Sequence, residues 1–289
     1  IIISQIPFRP NHVKAGGKIK KMHNLLTTAL YNTIGTNEDA TSEITAVMEK
    51  NVFEYAKPSS LVKFLIKSNT YTGKNALIID FFSGSATTAH AVMQLNAEDG
   101  GKRKFIMVEL PEVCAENSEA YKAGYKNVCE IGKERIRRAG KKIKEENPLT
   151  TQDLDIGFRV LKCDSSNMED VYFTPKEYMD KQQSLFVDNI KKDRNDEDLL
   201  FDAMLKLDTP LSSKIEKRSI AGKTVYNVAQ GHLMACFDKN VTDEVITAIA
   251  KEMPSYFVMR DSSQADDSVA INFEQIFNTY SPQTVRRVL

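Results

Sequence analysis

The chain has 289 residues, enough for two domains of ordinary size, and its 42% hydrophobic and 27% charged content is that of a globular protein rather than a disordered one. Its formal net charge of zero hides a split, because residues 1–150 carry 22 Lys and Arg against 16 Asp and Glu while residues 151–289 carry 17 against 23. The first half can approach a polyanion and the second is poorly suited to one. No apolar run approaches the about 20 residues a membrane-spanning helix needs. The start, IIISQIPF, has neither the basic flank nor the small-residue cleavage site of a signal peptide. Cys114, Cys129, Cys163 and Cys236 are scattered, form no CxxC pair, and have no zinc spacing with His12, His23, His90 and His232. They read as reduced thiols of a cytoplasmic protein.

In chain order, the opening segment is irregular, broken by Pro7, Pro10, Gly16 and Gly17, and basic through Lys14, Lys18, Lys20 and Lys21. It reads as a solvated basic loop or a phosphate contact. Residues 37–50 predict a helix, with acidic residues in the first turn and Ile44, Val47 and Met48 on one face. In FEYAKPSSLVKFLIK, Pro58 suits a first helical turn, and Leu61, Phe64 and Leu65 form an apolar face. Residues 76–79 predict a strand, 89–96 a helix, and 104–108 a second, buried strand ending in Glu109-Leu110-Pro111. Residues 115–146 predict a long helical region interrupted near Gly124. Its ERIRRAGKKIK stretch suits a solvated face or DNA phosphates, with Glu130, Glu134, Glu145 and Glu146 interleaved.

GFRVLKCDSSN reads as a third strand and a polar turn. KQQSLFVDNIKKDRNDEDLLFDAMLKL reads as helices around an acidic loop. IAGKTVYNVAQGHLMACF reads as a hairpin turning near Gln230-Gly231, residues 241–251 as a helix and SYFVMRDSS as a buried strand. RDSSQADDS resembles an active site in composition only. With no base or nucleophile partner visible, a loop between strand and helix is the better reading.

Two strands joined by a helix predict a βαβ unit with a parallel sheet. Ligands of such sheets sit at the carboxyl ends of the strands. The first strand ends in DFFSGSATTAHA, where Ser83-Gly84-Ser85-Ala86 makes a small-residue turn into a helix. It is neither GxGxxG nor GxxxxGK[ST], so a dinucleotide or phosphate loop is disfavoured. Hydroxyls at a helix N-terminus suit a carboxylate. Glu109, at the next strand end, suits a ribose diol. A carboxylate plus a ribose points to S-adenosylmethionine. A plain tight turn beside a solvated Glu109 accounts for the same spacing.

These residues resemble a known family. DFFSGSATTAHAV is similar to the S-adenosylmethionine-binding motif of amino-methylating DNA methyltransferases, and FEYAKPSSL to the Lys-Pro motif that precedes it in the β order. TNEDATSEI, NAEDGGKRKFIMVELPE, IGKERIRRAG, DIGFRVLKCDSSN, DEDLLFDAMLKLDTPLSSKIE and FVMRDSSQADDSVAINFEQIF resemble, more narrowly, the modification (Mod) subunit of type III restriction-modification systems. The resemblance implies adenine-N6 methylation of double-stranded DNA, with a second Mod subunit and a restriction (helicase/nuclease) subunit as partners. It implies that Asp80, Phe82, Gly84 and Ser85 line the cofactor and that Thr87 and Thr88 lie near its methionine carboxylate. It further implies that Glu109 holds the ribose, Lys57 and Pro58 close over the methionine end, and Asp164 approaches the adenine ring.

The fold expected is α/β. A partial, mostly parallel Rossmann-like S-adenosylmethionine-dependent methyltransferase sheet precedes a smaller α+β domain. Residues 1–50 would end the target-recognition or linker region, 51–165 would bind the cofactor, and 166–289 would serve dimerisation or restriction-subunit contact. Two departures from the family pattern stand out. Ala86 replaces a glycine, and Ala56 stands where a proline is commoner. The family's Asp-Pro-Pro-Tyr motif, which holds the flipped adenine, has no match: Asn147-Pro148-Leu149 and Met253-Pro254-Ser255-Tyr256 both fail it. The chain is therefore expected to be the carboxyl-terminal part of such a subunit and inactive alone. The alternative is a non-catalytic dimerisation or docking module with a vestigial cofactor fold. An oxidoreductase is disfavoured by the missing GxGxxG.

Overall fold

The computed structural model describes residues 11–13, 19–21, 34–169, 190–263 and 267–289. The chain divides into two compact units, Ile1–Phe158 and Arg159–Leu289.

The first unit opens with β1 (Asn11–Val13) and β2 (Ile19–Lys21), paired antiparallel, where an irregular segment was expected. Val13 and Ile19, both β-branched, are opposite one another in the register. Lys14 and Lys18 lie outside the described residues. Helix α1 (Asn37–Met48) is started by Thr36, whose hydroxyl accepts from the Asp39 N–H while the Asp39 carboxylate accepts from the Thr36 N–H. Helix α2 (Ser59–Asn69) starts directly after Pro58. Then come β3 (Leu77–Phe81), α3 (Thr87–Asp99) and β4 (Lys104–Val108), with β3 and β4 paired in parallel. This is the βαβ unit that the apolar runs predict. A short helix, α4 (Glu119–Lys122), and a long one, α5 (Val128–Glu146), follow, separated at Gly124 as expected.

The core of this unit is built on helices. Ala40, Ile44, Val47 and Met48 of α1 pack with Ala89 and Met93 of α3 and with Ile131, Ile136, Ala139 and Ile143 of α5. Residues 37–48, read as the end of a recognition or linker region, thus belong to the core that carries the glycine turn. Helix α3 is buried on nearly every side, because Val92 and Leu95 face Val62 and Ile66 of α2.

The two strands differ from expectation. Strand β4 is not fully buried: in both strands alternate residues are exposed, with Leu77, Ile79 and Phe81 on β3 and Ile106 and Val108 on β4 facing out. Only Ile78, Phe105 and Met107 join the described core clusters. An apolar run reports that a strand can be buried on both faces; it does not supply the second cover. The third candidate strand is also absent as a ladder. Residues 157–163 form no strand; Phe158 packs onto the helical core, together with Leu154 and Ile156 just before the predicted strand. Gly140 of α5 leaves room for this: a Cβ there would lie 2.9 Å from the Ile156 Cβ.

The second unit is a five-stranded mixed sheet in the order β5 (Ile215–Ile220), β6 (Lys223–Val228), β7 (Leu233–Cys236), β8 (Tyr256–Met259), β9 (Val285–Val288). The first three strands are antiparallel; β8 and β9 add in parallel. The expected hairpin is β6–β7, turning through Gln230-Gly231. Helix α6 (Asp196–Lys206) covers one face, and α7 (Asp243–Lys251) with α8 (Asp267–Tyr280) covers the other. Residues Leu233 and Ala235 serve the first face, Met234 and Cys236 the second, so β7 reads as a continuous apolar run. The helical reading of KQQSLFV falls outside the described residues.

Candidate cofactor site

Strands β3 and β4 end side by side, and their carboxyl ends are tied together. The Ser83 N–H donates to the Val108 carbonyl (3.0 Å), and the Gly84 N–H donates to the Glu109 carboxylate. Glu109 also accepts from the Leu110 N–H at 3.2 Å. Each carboxylate oxygen has a further lone pair, so both keep acceptor capacity for a diol. Asp80 accepts from the Thr88 hydroxyl, which fixes the end of β3 to the first turn of α3.

The turn itself needs its small residues. Gly84 has φ +53°, a left-handed conformation, and a Cβ there would lie 3.2 Å from the ring of Phe53. Ala86, the cap of α3, is left-handed too, at φ +59°. Its methyl is buried in the core rather than facing the site, so glycine is not required for approach. It offers no side-chain acceptor, which leaves the first N–H groups of α3 as donors for an anion. Helix α5 approaches the back of the turn at Gly132, where a Cβ would lie 3.3 Å from the Gly84 carbonyl oxygen.

The Lys-Pro segment reaches the same turn. Phe53 lies against Gly84, and Pro58 is buried while Lys57 is exposed. Behind both runs a buried polar network that motif reading missed. Glu43 of α1 accepts from the Ser59 N–H (2.9 Å) through Oε2, and from Arg135 Nη2 (3.1 Å) through Oε1. His90 Nδ1 sits 2.9 Å from the same Oε1. Arg135 Nη1 donates to the Ser85 hydroxyl (2.8 Å) and the Thr87 hydroxyl (2.7 Å). Arg135 is completely buried.

The charges of this network follow from its surroundings. Burial would raise the Glu43 carboxyl, but the adjacent His90 imidazole and the hydrogen bond from the Ser59 N–H, with the Arg135 charge, outweigh it and hold it down to about 2. Burial pulls the His90 imidazole below its ordinary value despite the facing carboxylate. His90 is thus neutral at pH 7, with Nδ1 beside the Glu43 carboxylate but making no well-aligned hydrogen bond to it. Burial also lowers Arg135, yet a guanidinium keeps its proton at neutral pH. The network is one anion against one cation.

Of the ten site residues that the sequence suggests, the structure brings Asp80, Gly84, Ser85, Thr87, Thr88 and Glu109 together around one turn, and ties Pro58 to it through Ser59, Glu43 and Arg135. Three stand apart. Phe82 is exposed at the end of β3, and Lys57 is exposed beyond Pro58. Asp164 belongs to the second unit, where it accepts from the Ser165 N–H and faces Lys162 and Arg194. The hydroxyls differ from the expected role as well. Ser85, Thr87 and Thr88 are buried, bonded to Arg135 or Asp80, so they serve the inside of the turn. The basic face of α5 is largely paired within the first unit: Lys133, Arg137, Arg138, Lys141 and Lys142 each face a glutamate.

A family model described as DNA methylase matches residues 11–139, which include the turn, Glu109 and most of α5. Over 133 residues the chain is 43% identical to the type III restriction-modification enzyme StyLTI Mod subunit of Salmonella typhimurium, covering 46% of this chain and 20% of that protein. Over this stretch the chain is similar to type III Mod subunits. It is 40% identical over 124 residues to the type III restriction-modification enzyme EcoPI Mod subunit of Escherichia phage P1, covering 42% of this chain and 18% of that protein. A type II methyltransferase, M.KpnI of Klebsiella pneumoniae, is 40% identical over 94 residues, covering 32% and 22%. The chain thus spans about a fifth of the length of these relatives. Among the described residues, no helix is long and apolar enough to cross a membrane.

Proposed function

We propose that this chain is the cofactor-holding part of a site-specific DNA adenine-N6 methyltransferase of a type III restriction-modification system. The observation that carries the reading is the meeting of Glu109 with the Gly84 N–H at the carboxyl ends of two parallel strands, directly before the N-terminus of α3. An α/β sheet places its ligand there. Glu109 offers acceptors suited to a ribose diol, and the first N–H groups of α3 suit a carboxylate. S-adenosylmethionine carries both groups and, when bound, supplies an activated methyl on a sulfonium. Gly84 allows close approach of the backbone, Asp80 steadies the turn through Thr88, and Lys57 and Pro58 would close over the methionine end. Phe82, exposed just after β3, completes the proposed cofactor set of the first unit.

DNA, a second Mod subunit and a restriction subunit are the proposed partners of the whole protein, and the cytoplasm its place. The chain has no Asp-Pro-Pro-Tyr sequence to hold an extruded adenine. We expect it to bind cofactor and to transfer no methyl group to DNA by itself. The half-exposed faces of β3 and β4 favour a second reading, a docking module whose open sheet face is covered by another part of the assembly.

Equilibrium dialysis against S-adenosylmethionine and against a nicotinamide dinucleotide tests the proposal. It predicts retention of the first alone. Retention of the second alone would remove the methyltransferase reading. A methyl-incorporation assay on duplex DNA tests the inactivity, and turnover by the purified chain would refute it.

A further inference from the structure

Glu43 and Arg135 touch no part of the outer face of the turn, yet they join everything behind it. The Glu43 carboxylate takes the N–H of Ser59, the residue after Pro58. Its other oxygen takes Arg135, whose second nitrogen holds Ser85 and Thr87, the residues that flank Ala86. The Lys-Pro segment and the glycine turn come from stretches about 25 residues apart. We infer that the Glu43–Arg135 pair is a positioning brace that holds these two walls of the proposed cofactor site in one fixed arrangement; this rests on the cofactor reading above.

Three physical points support the brace. A buried ion pair gives little net stability over apolar residues of the same volume, and its best-attested use is to fix one arrangement among several. The guanidinium fork can serve the carboxylate with one nitrogen and two hydroxyls with the other; a lysine ammonium is a single point with no such span. The hydroxyls of Ser85 and Thr87 are buried on the Arg135 side, so their spacing sets where the Gly84 backbone lies. Cofactor affinity then depends on Arg135 without contact between them.

The test combines hydrogen exchange of the ligand-free 289-residue chain with calorimetric titration by S-adenosylmethionine. The variants are Arg135→Lys, Arg135→Met, Glu43→Gln, the double variant Glu43→Gln with Arg135→Met, and Glu109→Ala. Arg135→Met and Glu43→Gln should each speed exchange in residues 57–62 and 83–88 together, while amides of the second unit stay protected and confirm folding. Each should weaken cofactor binding by about tenfold, within the usual span of coupled sites. The double variant should be no weaker than either single one. Arg135→Lys should behave like Arg135→Met, a result that a need for positive charge alone does not give. Glu109→Ala should weaken binding and leave exchange in 57–62 unchanged. Wild-type behaviour of Arg135→Lys, faster exchange in one wall only, or multiplicative loss in the double variant would overturn the brace. A wild-type chain that binds no cofactor would refute the cofactor reading, and the exchange pattern would still decide whether the two walls are coupled.

Discussion

Replacing Glu43 by Gln removes the one anion that, among the described residues, faces the fully buried Arg135 guanidinium and should cost the first unit about 3 kcal/mol at pH 7. Two routes give that size. The carboxyl falls from 4.5 to about 2 on folding, and each tenfold change in proton affinity is worth about 1.4 kcal/mol, or about 3 kcal/mol in all. Breaking a buried ion pair on one side costs about 3–5 kcal/mol. Glu43 is 22% exposed and glutamine keeps one acceptor, so the lower end applies. The sign with pH follows from a depressed carboxyl. The stabilisation is complete above about 4.5 and is lost as pH falls through that value toward 2. The assay is hydrogen exchange of the core amides of α3 and α5, converted to opening free energies, in both proteins from pH 7 down to acid. A difference under about 1 kcal/mol at pH 7, or one that persists at pH 2, would refute the assignment of an ionised, paired Glu43.

Other outcomes follow from the same contacts. Burial lowers the His90 imidazole, so the folded state binds its proton less readily than the unfolded one; wild-type stability should begin to fall below about pH 6.5, and His90→Gln should remove that early loss in an acid titration of unfolding. Gly84→Ala puts a methyl in a left-handed residue 3.2 Å from Phe53 and should cost about 1 kcal/mol or more and weaken cofactor binding; unchanged affinity by calorimetry would contradict the placing of the turn. Gly132→Val drives side-chain atoms at the Gly84 carbonyl from behind, and should speed exchange at residues 83–88 before the rest of α5 is affected. Gly140→Leu cannot coexist with Ile156 at its present distance, so limited proteolysis should open near residues 154–161; resistance equal to wild type would contradict the packing of that stretch on α5.

The βαβ unit was legible because its signals are local: two apolar runs, a small-residue turn and a helix between them. Helix α1 was legible in its acidic first turn and apolar face, and the β6–β7 turn in Gln230-Gly231. The half-exposed state of β3 and β4 was not legible, because a strand's composition reports what it can bury and not what is present to cover it. For the same reason GFRVLKC looks like a strand yet forms none, and its Phe158 lies on the helical core. The parallel addition of β8 and β9 depends on long-range pairing that spacing does not encode.

Within the site, Glu109 and Gly84 were readable from strand ends. The brace was overlooked although it left a trace. Arg135 falls on the buried stripe of α5 with Ile131, Ile136 and Ala139, and Glu43 lies between Ala40 and Val47 on the buried side of α1. A charged residue on each of two apolar stripes is the pattern of a buried pair. The basic composition of ERIRRAGKK drew attention to the outer face instead.

Calorimetric titration of the 289-residue chain with S-adenosylmethionine, beside Glu109→Ala, tests the central claim most directly. Saturable binding by the wild-type chain, weakened in a variant that stays folded, is the result predicted. Binding that Glu109→Ala leaves unchanged, or no binding by a folded wild-type chain, would contradict a cofactor cradle at the ends of β3 and β4.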